Sequence, residues 1–258
     1  MRVRMSTKAI SMSEHWIVPD WPAPASVRSL ITTRHGGVST GVYGSLNLGG
    51  HVADRSEDVA TNRARLQAVL PSVPVWLRQV HGNRVCNADN ELLADSPPEA
   101  DAVVARRPGV VCAVMSADCL PILLCDRAGS VVAAVHAGWR GMHAGVIENA
   151  VAAMQRPSQQ LLAYLGPAIG PEAFEVGDDV RALFVSANDE AEAAFKPLRP
   201  GKWLANIYLL AHQRLARLRV DAVYGGGYCT VHEAARFFSY RRDGVTGRMA
   251  SLIWLAPE

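Results

Sequence analysis

The chain has 258 residues and 26 Lys plus Arg against 24 Asp plus Glu, a formal net charge of +2. No strong field for polyanions follows from so small an excess, and nucleic-acid binding loses its simplest electrostatic basis. Apolar residues make up 49% and charged ones 19%, a balance that builds a full core, while the longest apolar run, at 110–115, is far short of the ~18 residues that span a bilayer.

Residues 1–24 mix Ser, Pro and isolated apolar side chains, with Arg2, Arg4 and Lys8 but no apolar secretory centre, which predicts a cytoplasmic protein with a flexible lead-in. The first expected strand is 27–33. It runs into a loop, 34–41, whose three glycines permit close backbone approach. A helix starts near Ser56, an expected cap followed by Glu57 and Asp58, and places Val59, Arg63, Leu66 and Leu70 at helical spacing before Pro71. Short β-branched runs follow at 73–80, 102–105, 110–116, 122–125 and 131–136. Several are apolar throughout, the pattern of strands covered on both faces. A helix is expected over 141–155, a strand over 161–165, helices over 178–185 and 206–218, and a closing strand over 250–255. Strands outnumber helices without regular alternation. The expected fold is therefore a mixed α/β layered, α+β single domain rather than a doubly wound one. Five cysteines (86, 112, 119, 125 and 229) lack the spacing of a disulfide framework and suit a reducing compartment.

Three ligand-type residues occupy corresponding places in three strand units: His81, Cys119 and His136. Neighbouring strand ends meet at one sheet edge, so two imidazoles and a thiolate can converge and leave one of four tetrahedral positions open, as in catalytic zinc. Gln79, Asp118, Trp139 and Arg140 stand beside them as candidates to orient rings and bind anions. Read blandly, Cys119 is a buried small residue and the histidines sit in turns.

In chain order the sequence carries Arg34-xxx-Val38-Ser39, Ser45-Leu46-Asn47-Leu48-Gly49, Gln79-Val80-His81-Gly82, Ala117-Asp118-Cys119-Leu120-Pro121 and Val135-His136-Ala137-Gly138-Trp139-Arg140-Gly141. Then come Gly166-Pro167-Ala168-Ile169-Gly170, Phe174-Glu175-Val176-Gly177, Cys229-Thr230 and Phe237-Phe238-Ser239-Tyr240-Arg241-Arg242. This series resembles the YfiH family, also called the laccase-domain, polyphenol oxidoreductase or peptidoglycan editing factor family. The resemblance runs over about 17–255, leaving 1–15 as an N-terminal extension and 16–258 as the catalytic domain. It implies a four-layer mixed α/β sandwich similar to bacterial deamidase toxins. It also implies a zinc-dependent purine nucleoside phosphorylase acting on adenosine, inosine and methylthioadenosine, with adenosine deaminase activity and with His81, Cys119 and His136 as zinc ligands. His143 is read as helix surface.

Phosphorolysis asks for an anion pocket. The guanidinium forks of Arg34, Arg140 and Arg241 (or Arg242) are candidates, with Asn47 and Gln79 as further substrate contacts. Asp118 or Glu175 would move protons in deamination. Two other enzyme classes stay open. Cys229 with a distant His could make an amide hydrolase that edits peptidoglycan precursors. Copper could fill a His2Cys site for polyphenol oxidation, although eight histidines with no His-x-His pair are too few for a trinuclear laccase cluster. The expected partners are purine nucleoside and phosphate, with no nucleic acid and no membrane.

Overall fold

A computed structural model describes residues 15–90 and 96–257. All of the expected extension except His15 lies outside the described residues. Among the described residues three sheets carry the fold. The central one has six strands in the order β11-β7-β5-β6-β3-β2: β2 (Val85–Asn87), β3 (Ala102–Ala105), β5 (Leu120–Asp126), β6 (Val132–Ala137), β7 (Leu161–Leu165) and β11 (Ala222–Gly225). Its two edge pairings are parallel and its three inner ones antiparallel. An antiparallel three-stranded sheet joins β1 (Val27–Ile31), β12 (Met249–Leu255) and β4 (Cys112–Ser116). A small sheet of β8 (Glu175–Gly177), β10 (Lys202–Ala205) and β9 (Phe195–Arg199) completes the set.

Alternation along the strands divides the core into layers. In β4, Ala113 faces α1 (Ser56–Gln67) together with Leu66, Leu46 and Leu48, whereas Cys112 and Val114 face the central sheet. In β5, Leu123 and Cys125 return that contact, while Leu120, Ile122 and Leu124 turn to the opposite side. There they meet α3 (Val146–Ala153), α4 (Asp178–Ala187) and α5 (Ile207–Arg217) through Ile147, Ala150, Phe184 and Leu210. The result is helix, sheet, sheet, helices: four layers of one α+β domain. Each fully buried Leu or Ile contributes about 1.5–3 kcal/mol. The two-sided cover explains why β5 and β6 are buried along their whole length and apolar apart from Asp126 and His136.

Several elements differ from those expected. The run at 73–80 forms no strand and makes only isolated bridges, Val75 to Cys112 and Arg78 to Glu99. Pro74 removes a donor there, and the Gln79 amide replaces the backbone ladder by donating to the Met115 carbonyl at 2.8 Å and accepting its N–H at 2.7 Å. The helix expected over 141–155 is two, α2 (Trp139–His143) and α3, because Gly145 takes φ +92° between them. Ser56 is the first helical residue of α1, and Arg55 holds the cap position. Asn206 does cap α5, accepting the Leu209 N–H at 3.0 Å. A last short helix, α6 (Tyr240–Asp243), precedes β12.

Candidate metal centre and substrate cavity

The loop before β2, the turn into β5 and the end of β6 bring His81, Cys119 and His136 together, with one ligand atom from each within 4.8 Å of the others. His136 lies in β6, opposite Pro121 of β5. Cys119 directly precedes β5, in a turn where Asp118 takes φ +89°. His81 sits in the loop before β2 with φ +60°, a conformation a non-glycine residue holds only when its surroundings over-determine it. Asp101 does so. This fully buried carboxylate accepts the backbone N–H groups of Val80 at 3.1 Å, His81 at 2.9 Å and Gly82 at 2.7 Å. It also accepts from His136 Nδ1 at 2.8 Å, which leaves Nε2 free to ligate.

The donor set fits a tetrahedral metal. Bond lengths of about 2.3 Å to sulfur and about 2.0 Å to nitrogen put ligand atoms roughly 3.5 Å apart, and Cys119 Sγ stands 3.7 Å from His81 Nε2. Room for the group comes from Gly138, where a Cβ would meet Cys119 Sγ at 2.8 Å. Electrostatics agree. Burial alone would raise the Cys119 thiol, but the two histidines outweigh it and bring its pKa to about 6. Burial would likewise lower His136, yet the Cys119 charge and the Asp101 hydrogen bond lift it to about 9. Asp101 stays below the usual carboxylate range because the His136 hydrogen bond and the loop amides overcome its burial. Among the described residues this is the only such group of three donors. The described residues thus offer ligands for one metal ion, with no second such group beside it for a multinuclear cluster.

A cavity of about 500 Å³ opens over the triad, within the range of small-molecule sites. Of the residues expected to act, Gln79, Asp118, Arg140 and Arg241 line it. The Asp118 carboxylate accepts from the Thr230 hydroxyl at 2.5 Å and from the Arg241 backbone N–H at 2.6 Å. Arg241 donates from Nη1 to the Glu175 carbonyl and lies over the Phe174 ring. Arg140 lies over Trp139.

Other expected residues stand apart. Arg34 spends its guanidinium on the carbonyls of Gly44 and Ala234, both at 2.9 Å, and lies over Phe238. Arg242 likewise donates to the carbonyls of Thr230, Val231 and Phe237. Asn47 is fully buried and bonds to Gly49, Asp54 and Arg248. Glu175 pairs with Arg199 at 2.6 Å. Cys229 Sγ accepts the Gly170 N–H at 3.3 Å, and among the described residues no imidazole hydrogen-bonds it. His143 is half-buried against Phe184 rather than on the helix surface. Sequence reasoning missed Asp101, His51 and Arg248. The last two also line the cavity.

Comparison with known proteins places these features in a lineage. The family described as multi-copper polyphenol oxidoreductase laccase matches residues 28–256. A Pseudomonas aeruginosa protein named purine nucleoside phosphorylase PA4543 is 54% identical over 241 residues, covering 93% of this chain and 98% of its own. Purine nucleoside phosphorylase YfiH of Escherichia coli is 54% identical over 242 residues, with 93% and 98% covered. The crystal structure of a Neisseria meningitidis protein of family DUF152 superposes with a TM-score of 0.91 at 54% identity, covering 94% of this chain and all of that one. That of YlmD from Geobacillus stearothermophilus gives 0.87 at 31% identity, covering 94% and 96%. With both its sequence and its four-layer fold matched over nearly their full length, the chain belongs to the YfiH family.

Proposed function

We propose that this protein is a zinc-dependent purine nucleoside phosphorylase that takes adenosine, inosine and methylthioadenosine and also deaminates adenosine. The observation that carries the reading is the cavity of about 500 Å³ lined by His81, Cys119 and His136 together with Asp118 and three arginines. The names of the relatives at 54% identity support the phosphorylase class. The His2Cys donor set suits zinc, and zinc held there supplies Lewis acidity to the cavity.

In phosphorolysis a phosphate oxygen forms a bond to C1′ of the nucleoside while the C1′–N9 bond breaks. The bonding pair leaves with the purine, which takes up a proton. The apolar lining, with Phe174, Trp139 and Ile207, offers faces for the uncharged base and excludes water. Deamination joins a water oxygen to C6 and breaks the C6–N bond, releasing ammonia. Of the two carboxylates that could move protons, Asp118 lines the cavity and Glu175 does not, so Asp118 takes that role. The Gln79 amide braces the Met115 backbone at the cavity wall, a positioning task.

Phosphate dependence tests the reading. Purified protein should release hypoxanthine from inosine and form ribose 1-phosphate only when phosphate is supplied, and base released at the same rate in phosphate-free buffer would overturn the reading. Elemental analysis should find about one zinc per chain, lost in Cys119→Ala.

A further inference from the structure

Resting on that phosphorylase reading, we propose that Arg248 and His51 form an oxyanion half-site in the cavity wall, built to hold inorganic phosphate. The charge inventory of the cavity leads there. Three arginines, Arg140, Arg241 and Arg248, line it beside one carboxylate, Asp118, and that carboxylate is already engaged by Thr230 and the Arg241 amide. A purine nucleoside is uncharged and needs no such excess of cations. Phosphate does.

Among the three arginines burial and fixation single out Arg248, which is partly buried while the other two are exposed. Arg241 is held by one carbonyl, that of Glu175, and lies over Phe174, and Arg140 lies over Trp139. Among the described residues the Arg248 side chain donates from Nη1 alone, to the carbonyls of Thr246 and Gly247, each at 3.0 Å. Among the described residues its Nε and Nη2 meet no protein acceptor. Those two nitrogens make one edge of the planar guanidinium, the edge that grips two oxygens of a phosphate in parallel. Two carbonyls thus fix the group while one face of the fork stays open.

The positioning is built into the core. Asn47 Oδ1 accepts the backbone N–H of Gly49 and that of Arg248, both at 2.9 Å. One buried amide thereby ties the segment that ends in His51 to the segment that carries Arg248. The two approach so closely that a Cβ on Gly49 would stand 2.8 Å from Arg248 Cγ. Asn47 itself is anchored by Asp54 at 2.9 Å and by the Asn62 amide at its carbonyl, also at 2.9 Å. The substrate role expected for Asn47 becomes that of a positioning residue. Burial, with the charges of Arg248 and Arg63, lowers His51 below the ordinary imidazole value, so at neutral pH it offers an uncharged N–H donor beside the cation.

Arg248→Gln and His51→Ala test the assignment, with KM for phosphate, KM for inosine, metal content and calorimetric binding of inorganic phosphate as readouts. Loss of a charge-assisted fork predicts a rise of about tenfold to a hundredfold in both KM and Kd for phosphate in Arg248→Gln, and a smaller rise in His51→Ala. KM for inosine and metal content should stay within about twofold. Folded variants with wild-type phosphate KM and Kd would overturn the half-site, as would parallel rises in both KM values. Should Arg248→Gln be insoluble, His51→Ala, an exposed position, decides. Base release by the wild type without phosphate would sink the phosphorylase reading instead. Calorimetry then judges the half-site alone, and a wild type that binds no phosphate ends it.

Discussion

Asp101 accepts from His136 Nδ1 at 2.8 Å with the same oxygen that accepts the backbone N–H of His81 at 2.9 Å. One carboxylate oxygen therefore sets both the ring of one ligand and the backbone of another. The third ligand, Cys119, needs no such tether because it enters β5 directly, with its strand pairing already fixed. Asp101→Asn keeps the shape but, with its N–H2 in place of the oxygen that accepts from both Val80 and Gly82, sets a donor against both amides. Outer partners of this kind are worth about 10- to 100-fold in metal affinity. Asp101→Asn should lose metal to a competing chelator at a concentration lower by that factor, with its fold retained by circular dichroism.

Much of this site was legible because chemistry-bearing residue types recur at the ends of apolar runs, although the run before His81 forms no strand. His81, Cys119 and His136 could be grouped from their positions after three apolar runs. Asp101 could not, since a lone Asp before a strand reads equally well as a turn residue, and its role depends on a loop that folds back 20 residues away in sequence. Arg248 and His51 were illegible for a related reason. Their segments are joined by the buried Asn47 amide, a bond spanning 201 positions, and by the Leu48 N–H donating to the Arg248 carbonyl. In the fold, β5 and β6 were evident from uninterrupted burial, whereas β8, β9 and β10 were not. The β9 run Phe-Lys-Pro-Leu-Arg is exposed after its first residue and shows no periodic apolar face.

The opposed shifts of Cys119 and His136 make a pH prediction. With its pKa brought down to about 6, Cys119 is thiolate at neutral pH and needs no deprotonation to bind a metal. His136, raised to about 9, is protonated there and must lose its proton. Metal uptake by the metal-free protein at pH 7.5 should thus release close to one proton from this pair. The release should grow below pH 6, as the thiol becomes protonated, and vanish above pH 9. Calorimetry in buffers of different ionisation enthalpy reads the number. Iodoacetamide labelling of Cys119 should show the same midpoint near 6 instead of the usual thiol value of about 8.5.

Asp126 offers a stability test remote from the metal. Its fully buried carboxylate accepts the Ser130 N–H at 2.7 Å, the Ser130 hydroxyl at 2.6 Å and the Val131 N–H at 3.1 Å. These bonds outweigh burial and hold its pKa below the ordinary value. A depressed folded-state pKa stabilises the fold above the unfolded pKa of about 3.9, and the gain is lost as pH falls through the folded value. Asp126→Asn should cost roughly 1–3 kcal/mol at pH 7, about 2–10 °C in Tm. The gap to the wild type should close below about pH 4, and a gap constant from pH 7 to 3 would refute the account.

Arg34 separates phosphate binding from structural tying. Its position after β1, with a glycine loop behind it, suggested an anion ligand, but its Nε and Nη1 donate to Gly44 and Ala234 and its plane covers Phe238. Lysine keeps the charge and loses the planar fork, so it cannot bridge the two carbonyls. Arg34→Lys should therefore lower Tm, at a cost of about 1–3 kcal/mol, by freeing the loop at Gly44 from the segment at Ala234. KM for phosphate and metal content should stay at wild-type values. Thermal unfolding and phosphate titration on the same preparation decide between the roles: a tenfold rise in phosphate KM with an unchanged Tm would return Arg34 to the substrate site, whereas a lowered Tm with unchanged kinetics leaves it as a strut between two loops.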